Sequence, residues 1–203
     1  MELQAENIFL KEELIKLTKK QLREDLLLEQ VITNISTRFV NLQPNCFQQE
    51  TDRALAEVGS AAGTDRAYVF LYNYRDQELN NTNEWCAAGI EKEIDNLKNI
   101  PIDQYPWWNE QLSRNQDINL YSLDDLPAEA VTEREVLSAQ SILSLLVVPV
   151  IHSGELLGFI GFDSVRKQKK WTNREVRILR LLAEIFGSAL NKIAIGQKLT
   201  DSL

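Results

Sequence analysis

Apolar and polar positions alternate with a helical period over the first forty residues. Neither Pro nor Gly occurs before Pro44, and the good helix formers Glu, Leu, Lys, Gln and Ala dominate. Leu3, Asn7, Leu10, Leu14, Leu17, Gln21, Glu24, Leu28, Val31 and Ile35 follow the four-three spacing of a coiled-coil seam. The seam is broken by polar residues at Asn7, Gln21 and Glu24. A buried amide such as Asn7 can fix register at such a position. The pattern predicts a long helix over residues 1–40 that pairs with a second copy. The same stripe also fits a lone amphipathic helix lying on its own domain.

Pro44 removes a backbone donor and turns Gln43 away from helical geometry, so the helix breaks over residues 41–45. A second helix is predicted from Cys46 to Ala62, with Phe47, Ala54, Leu55 and Val58 inward and Gly63 as its stop. Arg66 to Tyr74 reads as a strand. Tyr68, Phe70 and Tyr72 fall on one face, and Ala67, Val69 and Leu71 on the other. A second strand follows at residues 78–87. Residues 89–106 are polar and loop-like. A short helix is expected to carry Trp107 and Trp108 to Asn115, followed by a strand at 117–121 and a helix from Pro127 to Gln140.

Ser144 to Asp163 reads as two strands joined at Ser153-Gly154. Both runs are almost continuously apolar, so both faces of this sheet should be covered. The last helix opens with Thr172-Asn173-Arg174-Glu175, a capping-box pattern, and carries the stripe Leu182, Phe186, Ala189 and Ile193.

Charge adds one constraint. Residues 41–163 carry 7 basic and 20 acidic side chains, and residues 164–203 carry 9 and 3. An acidic middle repels phosphate backbones, which argues against a nucleic-acid partner. No apolar run approaches the roughly 18 residues that cross a bilayer, so no membrane partner is expected. Met1 to Glu6 lacks the basic start and apolar stretch of a signal peptide, so a cytoplasmic location is expected.

Asp65-Arg66-Ala67-Tyr68-Val69-Phe70, Asn81-Thr82-Asn83-Glu84-Trp85-Cys86-Ala87-Ala88-Gly89-Ile90, Pro106-Trp107-Trp108 and Gly158-Phe159-Ile160-Gly161-Phe162-Asp163 occur in this order. Together with the order of elements they resemble a GAF domain over residues 30–195. The subgroup is the one found in bacterial two-component sensors, response regulators and diguanylate cyclases. Where that subgroup often has a His after the Asn-Thr pair, this chain has Asn83. The resemblance implies an α+β fold: a central antiparallel β-sheet, terminal helices on one face, and helical and loop insertions with a small-molecule pocket on the other. It also implies a homodimer through the terminal helices. Three regions are expected: residues 1–40 as a signalling and dimerisation helix, 41–172 as the GAF domain, and 173–203 as the helix completing it.

The side chains offer little for catalysis. The one histidine, His152, lies at the hairpin turn, where sequence neighbours cannot face each other as a nucleophile and base. Cys46 and Cys86 form neither a disulfide framework nor a metal motif. Asp124-Asp125 has no third ligand at metal spacing, and there is no Gly-rich phosphate loop. GAF relatives that reduce methionine sulfoxide use clustered cysteines. Those that bind bilins use a cysteine beside a histidine, whereas Cys86 is followed by Ala87. A covalent bilin is therefore not expected, and no cofactor is named. A thiol redox enzyme and a tetrapyrrole photosensor remain the alternatives.

The expected function is a non-catalytic sensory module of a two-component-type regulator, with any catalysis in an effector or partner signalling protein. Its pocket candidates are Tyr68, Phe70, Tyr72, Glu84, Trp107, Trp108, Tyr121 and Arg134, although the aromatics also fit a plain core. Its dimer-interface candidates are Leu10, Leu14, Leu17, Leu28, Leu182, Phe186 and Ile193.

Overall fold

Along Arg66–Asn73 (β1), successive side chains enter two different cores. Ala67 and Val69 join one buried cluster and Tyr68 and Phe70 the other, as the period-two pattern requires. The computed structural model describes residues 2–200; the side chains of residues 2–6, 8, 9, 24 and 197–200 lie outside it, and with them the predicted seam positions Leu3 and Glu24.

The sheet has six strands, all antiparallel to their neighbours, in the order β3-β2-β1-β6-β5-β4. The others are β2 (Glu78–Cys86), β3 (Ile100–Pro101), β4 (Ile118–Leu120), β5 (Ser144–His152) and β6 (Glu155–Ser164). The β5–β6 hairpin turns at Ser153 (φ 52°) and Gly154 (φ 83°), the paired positive angles of a tight hairpin turn. Leu145, Val147 and Phe159 face one core and Leu146, Val148, Val150, Ile160 and Phe162 the other, so both sides of the hairpin are covered as predicted.

Three helices cover the first face: α1 (Glu2–Val40), α2 (Phe47–Ala62) and α5 (Asn173–Thr200). Two shorter ones, α3 (Pro106–Ser113) and α4 (Val131–Ala139), pack with the intervening loops on the second. Thr172 and Glu175 cap α5: the Thr172 N–H donates to Glu175 Oε2 at 2.9 Å, and the Arg174 N–H donates to Thr172 Oγ1 at 3.3 Å.

Most boundaries shift by a residue or two, and Ile100–Pro101, inside the stretch expected to be loop-like, forms β3 by pairing with Glu78 and Leu79 of β2. Two further differences have local causes. Cys46 belongs to a 3-10 turn, Pro44–Cys46, ahead of α2. The helix predicted from Pro127 begins only at Val131, because Arg134 reaches back to donate to the carbonyls of Leu123 and Leu126. The Leu126 carbonyl is thereby satisfied by a side chain instead of a helical amide.

The first helix is divided in its use. Leu28, Ile32, Ile35 and Phe39 are buried against the domain, whereas Leu10 (56% exposed), Leu14 (64%) and Leu17 (62%) stand in solvent. Asp25 accepts from Arg174 Nη1 at 2.9 Å, and the Val40 carbonyl accepts from Lys192 Nζ at 3.2 Å. Residue order along these contacts is the same in both helices, so α1 and α5 run parallel. The start of α1 therefore projects past one end of the domain and the end of α5 past the other. Residues 2–24 correspond to about 34 Å of helix. Arg38 fastens α1 to α2 through Glu50 and Glu57, each at 2.9 Å.

Of the residues assigned to a dimer interface, Leu28, Leu182 and Phe186 have no exposed surface and belong to the chain's own core. Ile193 is half-buried against the same cluster. Leu10, Leu14 and Leu17 are more than half exposed and lie outside the chain's buried core.

Candidate functional site

Between the second face of the sheet and α3–α4 lies a cavity. It offers about 60 Å³ in which the centre of a water-sized sphere can move. Its floor is built by the strands. On β6, Phe159, Gly161 and Asp163 alternate toward this side. Gly161 pairs with Tyr68, and a Cβ there would lie 2.5 Å from the Tyr68 hydroxyl oxygen. The missing side chain lets the Tyr68 ring cross the strand, where its hydroxyl donates to Asp163 Oδ1 at 2.8 Å. Gly161→Ala is expected to displace Tyr68 and lower stability by about 1–3 kcal/mol, read from the urea midpoint. An unchanged midpoint would show that Tyr68 has room to move.

The walls are aromatic. Phe70 and Phe159 stack with centroids 4.7 Å apart, and Trp108 meets Phe159 edge-on at 5.8 Å. Tyr105, Leu97 and Ile100 close the side formed by the insertions. Glu84 holds part of that wall in place, its Oε2 accepting from the Glu93 N–H at 2.9 Å and the Ile94 N–H at 3.1 Å.

Glu133 contributes the least expected group. It is 1% exposed, and its Oε1 accepts the Trp108 N–H, 3.1 Å away, in the first turn of α3. Its Oε2 has no hydrogen-bond partner among the described residues, nor has Trp108 Nε1.

Burial dominates the electrostatics. It pushes the Asp163 carboxyl up to about 7, helped by Glu84 and Asp65 and opposed by the Tyr68 hydroxyl and Arg66. Burial also raises Glu84, against the two backbone N–H donors and Arg66. Tyr68 is raised by burial and by Asp163. No Lys, Arg or His side chain lines the cavity among the described residues.

The predicted pocket residues divide evenly. Tyr68, Phe70, Glu84 and Trp108 line the cavity. Tyr72, Trp107, Tyr121 and Arg134 do not. Tyr72 donates its hydroxyl proton to Asn109 Oδ1 at 2.5 Å, and Trp107 packs at the edge of the same core. Tyr121 is exposed, and Arg134 ties the loop before α4. Sequence reasoning missed Glu133 and Asp163. Glu133 has a signal: Ala130, Glu133 and Leu137 share one helical face, and its two apolar members are buried. Asp163 has one too, since it alternates with Phe159 and Gly161.

Cys86 is absent from the cavity lining, and its thiol is pushed up to about 11 by burial and then by Glu84. At neutral pH it stays protonated, a poor state for a nucleophile. Asp125 accepts the Tyr121 and Ser122 N–H groups at 3.1 and 2.9 Å, so it serves as a local cap. No group of three or more potential metal ligands occurs among the described residues, and no helix among them is long and apolar enough to cross a membrane.

Helices on one face of an antiparallel sheet and a walled cavity on the other define an α+β domain with a built-in pocket. The family model for the GAF domain matches residues 47–190, and the chain belongs to that family. The methanogenesis regulatory histidine kinase FilI of Methanothrix harundinacea (strain 6Ac) is 33% identical over 138 residues, which is 65% of this chain and 15% of that protein. The chain thus spans a small part of that relative's length.

Among solved structures, the phycocyanobilin-bound GAF domain from a cyanobacterial phytochrome superposes with a TM-score of 0.69 at 18% identity, covering 83% of this chain and 96% of that one. The GAF domain of a phosphoenolpyruvate-protein phosphotransferase (ptsP) from Coxiella burnetii gives 0.68 at 16%, covering 86% and 98%. At these identities the likeness is one of fold alone.

Proposed function

We propose that this chain is a non-catalytic sensory module of a two-component-type signalling protein. Two copies join through the free part of α1, and occupancy of the cavity biases how the terminal helices sit. The observation that carries this reading is the parallel course of α1 and α5 on the sheet face opposite the cavity. A displacement of the sheet reaches both helices through one shared core, in which Phe39 and Phe186 lie 5.1 Å apart. Because the two helices leave at opposite ends, a shift entering along one can leave along the other. Ligand binding can move such a system only by favouring one helix arrangement over another.

Support for self-association comes from Leu10, Leu14 and Leu17, each more than half exposed at seam spacing. The similarity to a regulatory histidine kinase agrees with the signalling role. The raised Cys86 thiol and a cavity too small for a tetrapyrrole favour this reading over a redox enzyme or a photosensor.

Solution mass across a dilution series is the test. Two 23.3 kDa chains should travel together at high concentration. Leu14→Glu combined with Leu17→Glu should weaken association by about 100-fold, since four charges enter the seam, without moving the domain's urea midpoint. A wild-type chain that stays monomeric at high concentration removes the proposal.

A further inference from the structure

The cavity joins aromatic walls to acidic groups, and these acidic groups are not equivalent. Glu84 is committed to the Glu93 and Ile94 amides, and Asp163 to the Tyr68 hydroxyl. Glu133 spends only Oε1 on the chain, as an acceptor for the first turn of α3. Oε2 is buried and unpartnered among the described residues, on a side chain that lines the cavity. A buried carboxyl oxygen without a donor is costly, and a ligand donor would relieve it.

Arg66 does not fill this role. It lies outside the lining, where it donates to the carbonyls of Glu91 and Gln140 at 3.3 Å and stands 3.8 Å from Glu93 Oε1. Tyr68, Phe70, Trp108 and Phe159 line the same space. Aromatic faces attract cations, most strongly away from water.

We infer that the cavity binds a small organic cation, an alkylammonium whose N–H donates to Glu133 Oε2 and whose carbon atoms lie against the aromatic walls. This deepens the sensory reading and rests on it for the consequence of binding, though not for the binding itself. The available volume limits the ligand to a few heavy atoms, on the order of four to six.

A cation in the cavity also favours the ionised form of Asp163. The charged or titratable groups acting on Asp163 are Tyr68, Arg66 and Asp65 from β1 and the residue before it, and Glu84 from β2; Glu133 of α4 lines the same space. Affinity should therefore rise with pH between about 6 and 8, across the value of about 7 at which Asp163 ionises.

Thermal unfolding of the full chain tests the assignment, with propylammonium, trimethylammonium and tetramethylammonium chlorides as probes. Sodium propionate and 1-propanol serve as the anionic and neutral counterparts. Propylammonium and trimethylammonium should raise Tm by roughly 2–4 °C at saturating millimolar concentration. Tetramethylammonium, which has no N–H, should do less, and propionate and propanol should do nothing. Glu133→Gln keeps an acceptor for the Trp108 amide and removes the ionisable carboxyl. It should weaken propylammonium at least tenfold in calorimetric titration while unfolding as cooperatively as the wild type.

Equal shifts with propanol or propionate, no shift with any ammonium ion, or full affinity in Glu133→Gln would each overturn the inference. The sensory reading fails by a different observable, the monomeric mass, so the two failures are distinguishable.

Discussion

Phe186→Ala lowers the stability of the domain by about 3–5 kcal/mol and loosens α1 from it. Phe186 has no exposed surface, and its ring stands 5.1 Å from Phe39 of α1 and 6.2 Å from Phe47 of α2. Three helices meet at this ring, so truncation opens a void that none of them can close alone. Dispersion contacts and apolar burial are lost together. The polar ties of α1, from Arg38 to Glu50 and Glu57 and from Arg174 to Asp25, are partly exposed and hold it only weakly by themselves. Amide exchange over residues 28–40 should therefore speed up more than over β5 and β6. A urea midpoint within about 1 kcal/mol of wild type would show that the three helices do not depend on this contact.

Asp163→Asn makes the domain more stable at pH 8 and changes little at pH 4. Asp163 is 2% exposed, and burial has pushed its carboxyl from the usual 3.8 up to about 7. In the unfolded chain it ionises near the usual value. Between about pH 4 and 7 the folded state keeps a proton that the unfolded state has released. Stability therefore falls as pH rises through that window and levels off above it. The difference corresponds to about 4 kcal/mol at most. An asparagine carries no charge and still offers Tyr68 an acceptor. Urea unfolding of both proteins at pH 4 and pH 8 measures the gain, expected at about 2–4 kcal/mol at the higher pH. A gain of the same size at both values would place its origin in packing.

Much of the architecture can be read from residue spacing. Tyr68, Phe70 and Tyr72 against Ala67, Val69 and Leu71 assign two faces to β1 before any partner strand is known, because a strand has no third direction. The unbroken apolar run through β5 and β6 announces that both faces are covered. Gln43-Pro44 and Gly63 mark where helices must break or stop. The start of α4 was harder to place, since Arg134 replaces amides from eight and eleven residues away.

The site was half legible. Tyr68, Phe70, Glu84 and Trp108 were found by their place on strands and beside a helix start. Trp107 and Tyr72 match them in type and position, yet the turn of α3 and the edge of the core carry them elsewhere. Glu133 sits among Glu129 and Glu135, and charge alone cannot pick which of the three is buried.

By itself the sequence determined the antiparallel hairpin, the helical ends and the two-faced strand, because these follow from local periodicity and local backbone limits. Only the tertiary structure decided that Leu28, Val31 and Ile35 leave the predicted seam for the chain's own core or its edge. It alone set α1 parallel to α5 and placed Glu133 in the lining of an aromatic cavity. Those outcomes depend on which surfaces meet across a hundred residues or more, and burial free energy is settled between surfaces and not within segments.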